Sequence, residues 1–319
     1  MGRMKTSHIP ISNFVAALLV VIGMAAFPSA FKAQNDVLSI STDLVSVPVS
    51  VFDRSGKFVG GLNSDSFSLF ENDLKQEIVH FDSTSAPFTV LMVLDTSGSM
   101  TEFMPDLARA ANAFLRQLRP DDQVMAIKFS DQIENLFPLT RVRDFRESIK
   151  LKPKSREGDT ILYDAVDYAL KRMRTIKGRR AIVLFSDGVG VGIASAFGTL
   201  RDAEEQEALI YTIQFGSFSS EPTNGVSRKA YLKRIEEING YMRNLALKTG
   251  GSSYHIETIV NIDKTFRQIA QELGQQYTLG YYPDETGKNG ERRKIKVKVN
   301  VPNAVVRSRN EVIYKKSKQ

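Results

Sequence analysis

Phe88-Thr89-Val90-Leu91-Met92-Val93-Leu94-Asp95-Thr96-Ser97-Gly98-Ser99 is the stretch that decides the fold. Residues 88–94 form a nearly continuous apolar run, as expected for a strand covered on both faces. The run then stops at a carboxylate followed by hydroxyls and a glycine, which are turn and cap residues. Downstream, Leu107, Ala111, Phe114, Leu115 and Leu118 recur at helical spacing between Pro105 and Leu118. Val124 to Phe129 reads as a strand, and Ile161, Leu162, Ala165, Val166, Ala169, Leu170 and Met173 as a second amphipathic helix. Ala181 to Phe185 and Ala208 to Phe215 are further strands, and a helix around Tyr241 to Lys248 ends at Gly250-Gly251. A short strand at Ser253 to Ile256 and a last helix from Ile262 to Leu273 complete the series. Such repeated strand–helix units imply a largely parallel, doubly wound sheet with helices on both faces, spanning residues 87–275.

Three separated features converge on one end of that sheet. Asp95-Thr96-Ser97-Gly98-Ser99 and Ser186-Asp187-Gly188 each follow an apolar strand, and Gly158-Asp159-Thr160 precedes a helix. In open α/β sheets, ligands bind outside the carboxyl ends of the strands, at the topological switch point. The side chains offer oxygen only: hydroxyls from Ser97, Ser99 and Thr160, carboxylates from Asp95 and Asp187. That chemistry suits a hard divalent cation, Mg²⁺ first and Mn²⁺ or Ca²⁺ as alternatives. With few direct carboxylates the ion stays under-neutralised and attracts a carboxylate from a partner. Asp164 and Asp167, on the following helix, read as solvated rather than ligating.

The flanks have a different texture. Val45, Val47, Val49 and Val51 alternate with Ser46, Pro48 and Ser50, the period of a half-buried strand, and Pro48 suggests an edge or a bulge. Phe67 and Leu69, then Ile78, Val79 and Phe81, mark short strands around the turn Glu71-Asn72-Asp73. After residue 275, Ile295, Val297, Val299 and Val301 alternate with Lys294, Lys296, Lys298 and Asn300, lysines that discourage edge-to-edge pairing. Val305-Val306 and Val312-Ile313 read as closing strands. Residues 35–86 and 276–319 are each short for a domain, so they are expected to pair into one small β-sandwich into which the α/β domain is inserted.

The 89–275 portion resembles a von Willebrand factor A domain. Asp95, Ser97 and Ser99 match its D-x-S-x-S motif, Thr160 its second motif within GDTILYDAV, and Asp187 its third within LFSDG. The resemblance implies a six-stranded sheet with one antiparallel edge strand near Glu134 to Leu139, a metal-ion-dependent adhesion site, and protein ligands. Asp159 departs from the pattern, where glycine or asparagine is commoner. Leu44-Val45 with Val47, Val49 and Val51, the run Gln276 to Pro283 (QYTLGYYP) and the terminal β segment also resemble a bacterial family of exported von Willebrand factor A-related proteins.

Composition narrows the setting. The chain has 319 residues, a net charge of +7 and no cysteine, which excludes disulfides, thiolate metal sites and a cysteine nucleophile. Residues 1–34 read as a signal peptide: Arg3 and Lys5, then the apolar run Phe14 to Phe27, then small residues at Ser29, Ala30 and Ala33. An uncleaved membrane anchor is the alternative. The expected location is outside the cytoplasm, periplasmic, cell-surface or secreted. The basic cluster Lys171, Arg172, Arg174, Lys177, Arg179 and Arg180 reads as a solvated face beside a helix C-terminus, and no nucleic-acid partner is expected. Gly188, Gly190 and Gly192 match a dinucleotide fingerprint only imperfectly and read as a loop. His80 and His255 fall in different segments with no nucleophile elbow nearby. The reading is therefore a metal-dependent protein-binding module rather than an enzyme. A Mg²⁺-dependent hydrolase using the same site is the runner-up, and a purely structural metal the third possibility.

Overall fold

The computed structural model describes residues 44–83, 86–152, 160–187, 193–216, 227–283 and 287–314, apart from the side chain of Tyr231. These belong to one compact unit, Thr42–Gln319. The segment read as a signal peptide, Asp159 and the Gly188–Gly192 stretch lie outside the described residues. Among the described residues, no helix is long and apolar enough to cross a membrane.

The described residues open with β1 (Val45–Phe52), β2 (Phe67–Glu71), β3 (Leu74–Gln76) and β4 (His80–Ser83). Asn72 and Asp73 both take positive φ, 48° and 65°, which makes the tight β2–β3 hairpin. The α/β portion follows: β5 (Phe88–Asp95), α1 (Met104–Leu115), β6 (Gln123–Phe129), β7 (Ile133–Arg141), α2 (Leu162–Arg174), β8 (Arg179–Ser186), α3 (Ala196–Glu204), β9 (Leu209–Phe215), α4 (Arg228–Thr249), β10 (Ser253–Ile256) and α5 (Ile262–Gly274). The chain closes with β11 (Tyr277–Tyr281), β12 (Arg292–Val299), β13 (Val305–Ser308) and β14 (Glu311–Ile313).

The central sheet has the order β10-β9-β8-β5-β6-β7. All its pairings are parallel except β6 with β7, the antiparallel edge that the resemblance implied. Every residue of β5 is buried, because helices cover both faces. One face packs on α1 and α5 through Phe114, Phe266 and Ile269. The other packs on α2, α3 and α4 through Leu162, Val166, Met173, Ala203, Ile238 and Met242. The chain runs outward from β5 to β6 and β7, then recrosses to lay β8, β9 and β10 on the other side. The end of β5 is therefore the switch point.

The flanking segments do pair. Two antiparallel sheets, β13-β1-β11-β4 and β14-β12-β2-β3, each mix strands from before and after the α/β portion. Val47, Val49, Val51, Tyr277, Leu279 and Tyr281 of one sheet meet Phe67, Leu69, Ile295 and Val312 of the other.

Several local expectations are corrected. β1 is an interior strand, not an edge. Pro48 is tolerated because β13 covers β1 only from Val49 to Phe52, leaving Pro48 with a partner on the β11 side alone, Thr278. β12 is likewise interior, between β14 and β2, although Lys294, Lys296 and Lys298 do face solvent. α4 is far longer than Tyr241 to Lys248: it starts at Arg228, and in its largely charged and exposed first half Leu232, Ile235 and Ile238 continue the helical spacing. α3 was not foreseen. The basic cluster divides: Arg179 donates to the carbonyls of Ala86 and Leu273, and Arg180 to those of Met173 and Ile176. These two arginines fasten helix ends to the sheet rather than forming a solvated face.

Candidate metal centre

Asp95 is the last residue of β5 and is fully buried. Its Oδ1 accepts the Ser97 backbone N–H at 2.9 Å, and its Oδ2 accepts the hydroxyl of Ser186, the last residue of β8, at 2.6 Å. The neighbouring Thr96 donates both its backbone N–H and its hydroxyl to the Phe129 carbonyl at the end of β6, at 2.8 and 3.2 Å. Strand ends β5, β6 and β8 are thus tied together directly below the loop. Ser97 then precedes a 3-10 turn, Gly98–Phe103, that leads into α1. This turn brings the Ser97 and Ser99 hydroxyl oxygens within 3.1 Å of each other.

Thr160 approaches from the other side. It is buried, and the next residue, Ile161, donates its N–H to the Ser130 carbonyl at 2.8 Å, one residue beyond the end of β6. Since Phe129 pairs with Asp95 in the β5–β6 ladder, Thr160 is held at the same end of the sheet. Asp187 follows directly on Ser186 and is half-buried. The structure therefore gathers Asp95, Ser97, Ser99, Thr160 and Asp187 around one switch point.

The electrostatics are unfavourable without a cation. Burial first, and then the negative charge of Asp187, push the Asp95 carboxyl up from 3.8 to about 7, against the opposing hydrogen bonds from Ser186 and Ser97. Two carboxylates facing each other in a water-poor site resist ionising together. A divalent ion would relieve both the desolvation and the repulsion. Among the described residues no group of three or more His, Asp or Glu side chains forms a metal cluster. The donors here are instead two carboxylates and three hydroxyls, an all-oxygen set that fits a hard cation.

Asp164, expected to be solvated, is half-buried and also has backbone partners. Its Oδ2 and Oδ1 accept the backbone N–H groups of Ile193 and Ala194, each at 2.9 Å. It ties α2 to the chain entering α3, close to Thr160. A carboxylate in the first turn of a helix gave no sequence signal for this, because the partner is backbone 29 residues away. Asp167 is paired with Lys171 at 2.7 Å, an ordinary surface contact. His80 and His255 lie in different sheets.

Residues 90–189 match the profile of the von Willebrand factor type A domain. No curated protein sequence matches the chain. Among solved structures, the chain is similar to an aerotolerance-related membrane protein from Bacteroides fragilis, at 18% identity over 58% of this chain and 98% of that one, with a TM-score of 0.42. It is similar to a von Willebrand factor type A protein from Catenulispora acidiphila at 11% identity, covering 80% and 76% of the two chains, with a TM-score of 0.47. Proximal thread matrix protein 1 from the mussel byssus, in a form with a zinc-occupied MIDAS motif, shares 13% identity over 63% of this chain and 49% of that one, with a TM-score of 0.45. The profile match covers the strand bearing Asp95, the helix after Thr160 and the strand leading to Asp187, and with the sheet topology it shows that this part of the chain carries a von Willebrand factor type A domain.

Proposed function

We propose that this protein binds other proteins outside the cytoplasm, through a divalent cation held by Asp95, Ser97, Ser99, Thr160 and Asp187. The observation that carries the reading is the buried Asp95, with its carboxyl pushed up by burial and by Asp187, beside the paired hydroxyls of Ser97 and Ser99. A bound Mg²⁺ (or Mn²⁺ or Ca²⁺) would supply a positive centre that attracts a carboxylate oxygen from a partner. The protein's own groups do the rest. Ser186 and the Ser97 N–H fix the orientation of Asp95, and the Thr96–Phe129 bonds hold the loop rigid. The Ile161–Ser130 bond keeps Thr160 in place. The hydroxyl and amide donors set on Asp95 hold its carboxylate in one orientation, as a cation ligand requires, and we read the site as binding rather than hydrolytic. The basic, apolar and small-residue pattern of residues 1–34 supports export, and hence an extracytoplasmic partner.

The test is partner capture from an extracytoplasmic extract on the immobilised full chain, in Mg²⁺, in chelator, and with Asp95→Ala or Thr160→Ala in Mg²⁺. The reading expects capture only by the wild type in Mg²⁺. Capture that survives chelation and both substitutions would show that the cation plays no part.

A further inference from the structure

The chain entering α3 exposes two large apolar side chains within five residues. Ile193 is 101% exposed and Phe197 76% exposed. Neither position is a frayed end. Asp164 holds the backbone at Ile193 and Ala194 through two hydrogen bonds of 2.9 Å. Ser195 caps α3 by accepting the Gly198 N–H at 2.9 Å. On the same helix, Ala196 and Leu200 pack against the core below α2, α3 and α4, so the helix spends its inward face there and turns Phe197 outward. Two large apolar side chains exposed within five residues on a held backbone offer more apolar surface than a singly exposed residue, the kind of surface that marks interaction sites.

Their place in the fold says what covers them. Asp164 lies four residues after Thr160, at the start of α2, and Ile193 lies six residues after Asp187. Ile193, tied to Asp164 in the first turn of α2, therefore sits at the same end of the sheet as Thr160 and Asp187. We propose that Ile193 and Phe197 form an apolar contact beside the cation site, and that the partner is a protein segment whose ligating carboxylate is flanked by a bulky apolar side chain. This rests on the carboxylate-capture reading above and adds a specificity to it. The cation site attracts any carboxylate, including free small acids. The pair selects those carried on an apolar segment, and because Asp164 and Ser195 hold the backbone in place, little order has to be imposed on binding.

The experiment titrates capped tripeptides into the full chain and follows binding by NMR. Three are used: acetyl-Leu-Glu-Leu-amide, acetyl-Gly-Glu-Gly-amide and acetyl-Leu-Gln-Leu-amide, each in Mg²⁺ and in chelator. In Mg²⁺ the Leu-Glu-Leu peptide is expected to bind about tenfold more tightly than Gly-Glu-Gly, the scale of partly burying an aliphatic side chain. The glutamine peptide should show no Mg²⁺ dependence. Ile193→Ser and Phe197→Ser, both at exposed positions, should each shrink the leucine advantage and together abolish it, leaving Mg²⁺ affinity and Gly-Glu-Gly binding unchanged. Equal affinity of the two glutamate peptides, or an advantage that survives both substitutions, overturns the apolar contact alone. Failure of both glutamate peptides to bind the Mg²⁺-loaded protein overturns carboxylate capture, and the apolar contact with it.

Discussion

Glu71→Ala should release the two chain ends that enclose the α/β portion. Glu71, in β2, is 4% exposed, and Arg293, in β12, is 3% exposed. They form an ion pair at 2.6 Å. The other Glu71 oxygen accepts the Tyr281 hydroxyl from β11, in the opposite sheet. Burial, and then the bond to Glu71, push the Tyr281 hydroxyl well above its ordinary range. Arg293 also lies over the Tyr314 ring, 3.9 Å from its centroid. Strands from before and after the α/β portion thus meet at one carboxylate. Removing it takes the carboxylate of a buried ion pair from Arg293, a loss of ~3–5 kcal/mol for a broken buried pair. The low end of that range applies because Arg293 keeps further partners, so the expected loss is ~3 kcal/mol. At a urea dependence of ~2 kcal/mol per molar, the sandwich transition should move down by roughly 1.5 M, followed by circular dichroism and tyrosine fluorescence. Glu71→Leu with Arg293→Met, which removes both charges and keeps the volume, should recover most of the loss. A Glu71→Ala cost below about 1 kcal/mol, or a double variant as unstable as the sum of its singles, would refute the reasoning, because the pair would then be neither buried nor coupled.

Asp95→Asn should stabilise the protein in chelator at pH 8 by about 5 °C, and should abolish any rise in Tm on adding Mg²⁺. The sign follows from the carboxyl being held up at about 7 instead of 3.8. Between those values the folded state keeps a proton that the unfolded state has lost, so the metal-free fold weakens as pH rises through the window. A wild-type Tm in chelator that climbs between pH 4 and pH 7, with Asp95→Asn following the same curve, would contradict this. Asp164→Ala should speed hydrogen exchange at the Ile193 and Ala194 amides at least tenfold, as expected when a hydrogen bond of ~1.5 kcal/mol is lost, without changing Mg²⁺ affinity. Unchanged exchange at both amides would remove its anchoring role. Gly251→Ala should cost ~3 kcal/mol or more, because an added Cβ runs into the Ile210 backbone, whereas Gly240→Ala, with open space around it inside α4, should gain ~0.5–1 kcal/mol in denaturant titrations. Equal effects at the two glycines would show that the close approach of Gly251 to β9 is unimportant.

The apolar run 88–94 and its abrupt end at Asp95 were legible because a strand buried on both faces has no polar alternation. The five candidate site residues could be singled out because each sits at a strand end or just before a helix, where turn chemistry marks the position. The pairing of the flanks could be expected because neither has enough apolar strand for a core of its own. What escaped was set by tertiary contact. α3 is a nine-residue helix whose capping serine looks like any loop residue, and the apolar spacing of Leu232, Ile235 and Ile238 in the first half of α4 is diluted by charged, exposed residues. Arg179 and Arg180 looked like surface charge until carbonyls from α2, α5 and the start of β5 met them. Asp164 escaped for the same reason: its partners are backbone amides brought to it only by folding.

The central claim is a cation held by two carboxylates and three hydroxyls, and calorimetric titration of the purified full chain with Mg²⁺ and Mn²⁺ tests it most directly. The account predicts one site on the wild type, weakened at least tenfold by Ser97→Ala with Ser99→Ala, weakened similarly by Thr160→Ala, and lost in Asp95→Asn. No binding by the wild type at millimolar Mg²⁺ or Mn²⁺, or binding that persists unchanged in Asp95→Asn, would contradict it.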